Sequence, residues 1–188
     1  MRSNKYNLLI IGTIIALAVS RLIPHPPNFT PLGGIAILGA AYLRSPYMKY
    51  LIPVLAFYIS DLLVSNLIYA SFYPEQSFVW FSGHMIWNYA AIVAVVALSS
   101  RIMKKKNWKN LAAASFTGAV LFFVISNFGS WAGNPMYPQD IGGLISCYIA
   151  GLPFFPNTLI STAVFAGIGF GIMEYGHYRL FQKESATR

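Results

Sequence analysis

Apolar stretches alternate with short polar connections along this chain, and the pattern predicts an all-α bundle of about six transmembrane helices. The first span covers about 7–23. It runs into Pro24-His25-Pro26-Pro27-Asn28-Phe29-Thr30-Pro31, which cannot continue a regular helix because proline removes a donor and clashes with the preceding turn. The second span, about 31–43, is short and glycine-rich, with Gly33, Gly34 and Gly39. Thirteen helical residues rise only about 20 Å against a hydrocarbon core of about 30 Å, so this span is tilted, broken or re-entrant. The third covers about 50–70 and is interrupted by Pro53; the fourth covers about 84–100 and the fifth about 111–128. The apolar segment 141–152 is too short to cross comfortably and reads as a half-helix lying on or dipping into the outer face. The sixth span, about 157–176, carries Ala163, Gly167, Gly169 and Gly171. No internal repeat is evident, so an inverted-repeat transporter has no direct support.

Charge orients this pattern. Twelve of the thirteen Lys/Arg residues lie in alternate connections or at the ends: Arg2, Lys5, Arg44, Lys49, Arg101, Lys104, Lys105, Lys106, Lys109, Arg179, Lys183 and Arg188. The intervening connections, 70–83 and 129–156, have none. Basic residues are retained on the cytoplasmic side, which predicts a multi-pass bacterial inner-membrane protein with both termini inside. Arg21 is the exception.

Composition changes the picture little. Of 188 residues, 56% are hydrophobic and 10% charged, against about 25% charged in a soluble domain; mean hydropathy is +0.57. A single transmembrane domain, 1–188, accounts for the length. The net charge of +8 sits in membrane-flanking loops, where anionic lipid explains it better than nucleic acid. Cys147 is the single cysteine, so no intrachain disulfide forms. Arg2 and Lys5 before an apolar run resemble a signal peptide, but no convincing cleavage site follows, and a retained first helix is expected.

Candidate chemistry gathers at the predicted outer ends: His25, Asn28, Asn66, Tyr69, Trp80, His84, Trp87, Asn88, Asn127, Trp131, Asn134, Tyr137 and Asn157. Amides within spans need partners, and aromatic walls with a few hydrogen-bonding groups suit a small organic ligand. An interfacial aromatic belt is the competing explanation; it accounts for Trp80 and Tyr69 but poorly for Asn88 and Asn127. Asp61, the acid well inside a span, must face the interior. It pins helices through Ser60, Ser65 or backbone, binds a polar or cationic ligand group, or carries protons or sodium. Arg21 snorkels to headgroups, pairs with Asp61 or binds a ligand anion. Glu174 can reach water or Arg179. His25 and His84 allow an outer two-histidine metal site, with His177 on the inner side; Cys147 is by default a buried small residue. No acid–base pair, nucleophile pair or phosphate loop has persuasive spacing.

The segment Arg21-Leu22-Ile23-Pro24-His25-Pro26-Pro27-Asn28-Phe29-Thr30-Pro31-Leu32-Gly33-Gly34 resembles the opening of a family of small bacterial membrane proteins. Ser126-Asn127-Phe128-Gly129-Ser130-Trp131 and Cys147-Tyr148-Ile149-Ala150-Gly151-Leu152-Pro153-Phe154-Phe155 resemble two further blocks. That family is similar to the substrate-binding S components of energy-coupling factor (ECF) transporters. The resemblance implies a ligand held near the outer surface. It also implies that span 1 docks a transmembrane coupling subunit, served by ATPases, through Gly12, Ala16 and Ala18.

The reading that follows is a substrate-binding subunit for uptake of a vitamin-like or other small solute, without intrinsic cofactor or covalent chemistry. Asn28, Asp61, His84, Trp87, Asn88, Asn127, Trp131, Asn134, Tyr137 and Asn157 are its expected binding residues. Trp87, Trp131 and Tyr137 stack on the ligand, the amides bond it, and 24–31 and 129–156 form a lid. Its rivals are a structural or assembly protein of the cell envelope and a membrane enzyme acting on lipid or quinone.

Overall fold

A computed structural model describes residues 2–72, 77–81, 83 and 85–182. Among them are seven α-helices and no strand. Helix α1 (Arg2–Val19) ends in a 3-10 turn, Ser20–Leu22, and α2 is Leu32–Tyr42. Helix α3 (Met48–Leu63) runs on through a π-helical turn, Val64–Ile68, and a 3-10 turn, Tyr69–Ser71. Helices α4 (Met85–Ile102), α5 (Trp108–Trp131) and α6 (Ile141–Gly151) follow; a 3-10 turn, Leu152–Phe154, leads into α7 (Phe155–Gln182).

Four helical stretches are long and apolar enough to cross a membrane: Met48–Ile68, Met85–Ile102, Trp108–Trp131 and Ile141–Arg179. Tyr6–Leu22 and Leu32–Tyr42 are apolar but shorter. The expected half-helix and sixth span are therefore one run of 39 residues. At helical rise that is about 58 Å, far more than a bilayer core needs. Pro153 does not separate them, because it sits at the start of the 3-10 turn, where a missing N–H costs least. Side chains cap the helices after the connections: Asn107 Oδ1 accepts from Asn110 N at 2.8 Å and Asp140 Oδ1 from Gly143 N at 2.8 Å.

Helix α2 is the centre of the bundle, packed against α1, α3, α4, α5 and α7. Nine of its eleven residues are buried, as expected of a helix apolar on every side. Its glycines set the approach of its neighbours. A Cβ on Gly34 would lie 2.8 Å from the Ala166 backbone nitrogen, so α2 and α7 touch backbone to backbone. Gly39 leaves room for the Pro53 ring of α3. Outward faces are apolar as well. Leu51, Leu55 and Ile59 form an exposed stripe on α3, and Ile160, Val164, Ile168 and Ile172 one on α7. Such continuous exposed stripes suit hydrocarbon rather than water.

Arg21 lies towards one end, while Arg44, Lys49, Lys106 and Arg179 collect at the other. There Tyr6 packs edge-on to His177, Trp108 packs on Phe170, and Tyr42 Oη donates to Glu174 Oε1 at 2.7 Å. Glu174 thus meets a tyrosine, while Arg179 lies over the Tyr175 ring at 5.7 Å. The start of α1 and the end of α7 share this end. The connections 23–31 and 132–140 lie at the opposite one.

Candidate functional site

Eleven residues of α2 rise only about 16 Å. The helices around it are longer, and above its first residues they enclose a cavity of about 610 Å³. Leu32 and Gly33 form its floor, and Pro24, His25, Pro27 and Asn28 roof it. Its walls come from the 3-10 turn after α1, from α3 and its π-helical turn, and from α4, α5 and α7. The size suits a small organic ligand, since such pockets run to about 300–1,000 Å³.

The roof is shaped by its own chemistry. Phe29 N donates to Pro26 O at 3.0 Å, closing a turn, and Asn28 sits at φ 60°, a left-handed conformation that asparagine tolerates better than most residues. Phe29 packs edge-on to Phe165. Asn157 Nδ2 donates to Pro27 O at 2.9 Å, tying the loop to the start of α7.

One wall carries an ion pair. Arg21 is 9% exposed. Its Nη1 donates to Ser60 Oγ at 2.8 Å, its Nη2 to Asp61 Oδ1 at 3.1 Å, and its guanidinium lies 5.1 Å from the Phe57 ring centroid. Ser60 Oγ in turn donates to Phe57 O at 2.9 Å. Of the three sequence readings for Arg21, snorkelling is overturned. A charge this deep is stable only when paired, and Asp61 is the pair. Asp61 thus ties the end of α1 to α3 through Arg21, and both residues line the cavity.

The other polar groups differ in how far the fold uses them. Asn127 Nδ2 donates to Phe123 O at 2.8 Å, and its backbone oxygen accepts from Cys147 Sγ at 3.4 Å. Ser126, Ser130 and Thr158 bond to carbonyls in their own helical turns. Asn88, on α4, lines the cavity and makes no hydrogen bond among the described residues. Asn28 and Thr162 also line it without one. His25 Nδ1 sits 3.0 Å from Pro26 O at the rim. Phe57, Phe122 and Phe123 supply an aromatic wall.

Of the expected binding residues, Asn28, Asp61, Asn88 and Asn127 come together at this cavity. The others, His84 apart, are placed elsewhere. Trp87 packs on Phe128 and against Gly129. Trp131 Nε1 donates to Pro138 O at 2.8 Å. Asn134 bonds Ser130 O and Met136 N, and the Tyr137 amide donates to Asn134 O, so both serve the 132–140 turn. Asn157 holds the roof from outside. His84 lies outside the described residues, and with it the two-histidine metal site; among the described residues no three His, Cys, Asp or Glu side chains cluster. Asn66 brackets Val79, donating to its oxygen at 3.0 Å and accepting from its nitrogen at 2.8 Å. On α1, Gly12 and Ala16 are exposed on the outer face, but Ala18 is buried in the bundle and cannot share a docking surface with them.

Phe57, Phe122, Phe123, Ser126, Ser130, Thr158 and Thr162 line the cavity without having been expected there. A signal existed for some. Phe122, Ser126 and Ser130 recur at fours on α5, and Thr158 and Thr162 at four on α7, which places each set on one helical face.

No curated protein and no solved structure matches the chain. A match spanning residues 1–184 establishes that the chain belongs to a family of unknown function, DUF6580.

Proposed function

We propose that this protein is a substrate-binding membrane subunit that captures a small organic solute at the outer face for uptake. The observation that carries the reading is the cavity of about 610 Å³ with the unbonded Asn88 amide in its wall. An amide on an apolar helix costs free energy unless something bonds it, and a ligand in this cavity is the available partner. The positive-inside rule sets the basic end in the cytoplasm, so the cavity opens outward, in a bacterial inner membrane. Working in the manner of an ECF S component, the protein would pass solute inward with a coupling subunit and ATPases. Gly12 and Ala16 on α1 offer the small-residue face such docking uses.

Gentle purification followed by native mass spectrometry tests this. A stoichiometric small molecule is expected, retained by wild type and lost from Asn88→Leu at unchanged thermal stability. Folded protein that is reproducibly empty, from cells grown in rich medium and kept with its membrane partners, defeats the reading.

A further inference from the structure

Resting on that reading, we infer that the cavity floor is an oxyanion site: the solute presents a carboxylate or similar group to the N-terminus of α2. Pro31, the residue before α2, offers no side-chain cap. The N–H groups of Leu32, Gly33 and Gly34 make no hydrogen bond among the described residues. Leu32 and Gly33 form the floor. Unbonded N–H groups and the positive end of the helix dipole together attract an anion.

One buried side chain points independently to a ligand at the floor, and a second, also short of a partner, stands on the cavity wall. Thr162 is 2% exposed, lines the cavity and makes no hydrogen bond among the described residues. Its hydroxyl stands against Gly33, where a Cβ would collide with it. Glycine at that position keeps hydroxyl and backbone together. Arg21 is the second. Its two terminal nitrogens are used by Ser60 and Asp61, but Nε is buried and has no acceptor. Threonine hydroxyl, guanidinium N–H and helix N-terminus are all donors. Asp61, the acid on the cavity wall, is already paired with Arg21. At the floor the unbonded groups can all donate, and an oxyanion satisfies them. The aromatic wall of Phe57, Phe122 and Phe123 then accepts the apolar body of the molecule.

Matched pairs test the charge: acetate and acetamide, benzoate and benzamide, indole-3-acetate and indole-3-acetamide. They are titrated into full-length protein labelled with 15N-glycine in phosphatidylcholine nanodiscs. The site predicts that at least one carboxylate shifts the Gly33 and Gly34 amide resonances and binds about tenfold tighter than its amide. Thr162→Val removes the preference and Thr162→Ser keeps it. A parallel titration uses nanodiscs containing phosphatidylglycerol. Thr162-dependent shifts there, without any from the carboxylates, support the oxyanion site and assign it to a lipid headgroup. Amides that bind as tightly as carboxylates overturn the oxyanion site and leave solute capture standing. No shift from either the carboxylates or the lipid overturns it too, while a co-purified neutral solute would still uphold capture.

Discussion

Removing one member of a buried ion pair strands the other. Asp61→Ala leaves the Arg21 guanidinium against Phe57 with Ser60 alone, and a loss of about 3–5 kcal/mol is expected. Arg21→Met with Asp61→Leu removes both charges and should cost clearly less. Thermal unfolding in detergent distinguishes them; equal losses would show that the pair itself, not the stranded charge, matters. Gly34 gives a second test. Its Cβ would meet backbone atoms of Phe165 and Ala166 at 2.9 and 2.8 Å, whereas Gly12 has open space. Gly34→Ala should destabilise by about 1–3 kcal/mol, and Gly12→Ala should be neutral or slightly stabilising. At this scale the site was half legible. Asn88, Asn127 and Asp61 stood out because polar groups inside apolar spans demand a partner. Trp131 and Asn134 misled because residue type does not distinguish a group that binds a ligand from one that closes its own turn, and Asn157 because it ties a distant loop to α7. Thr162 was invisible, since a threonine on a helix usually bonds its own preceding turn.

Helix limits followed charge and capping closely. Helices α4 and α5 flank the basic connection, and their ends fall within a few residues of those read from the pattern. The π-helical turn at Val64–Ile68 was not legible, because no local residue preference calls for it. Nor was the continuity of α6 into α7 across Pro153. The connection between α4 and α5 also carries a pH effect. Lys106 sets its ammonium 4.7 Å from the Tyr42 ring centroid. Desolvation there lowers its pKa below the usual lysine value, with Glu174 opposing. A depressed lysine pKa means the folded state releases its proton first, so the unfolded state binds more protons in that window. Stability should therefore rise between the lowered pKa and about 10.4. Lys106→Gln should flatten that alkaline rise, measured as midpoint of unfolding against pH.

For the whole molecule, the two ends of the bundle make opposite predictions. A fluorescent protein fused after residue 182 should mature in the cytoplasm, and alkaline phosphatase fused there should stay inactive. Phosphatase inserted in the 132–140 turn should be active. The reverse outcome would put the cavity mouth inside and replace capture by export or internal sensing.

The central position of α2 has a consequence for biogenesis. The chain emerges from the ribosome with its second helix near the start and one of that helix's two main neighbours, α7, at the far end. An eleven-residue helix is too short to settle in lipid alone. Its packing is complete only once the last helix is synthesised. Assembly is therefore completed after translation, and a ribosome stalled before α7 leaves a nascent chain with its core exposed. Quality-control proteases should clear such truncated chains far faster than chains that lack only the residues after 182.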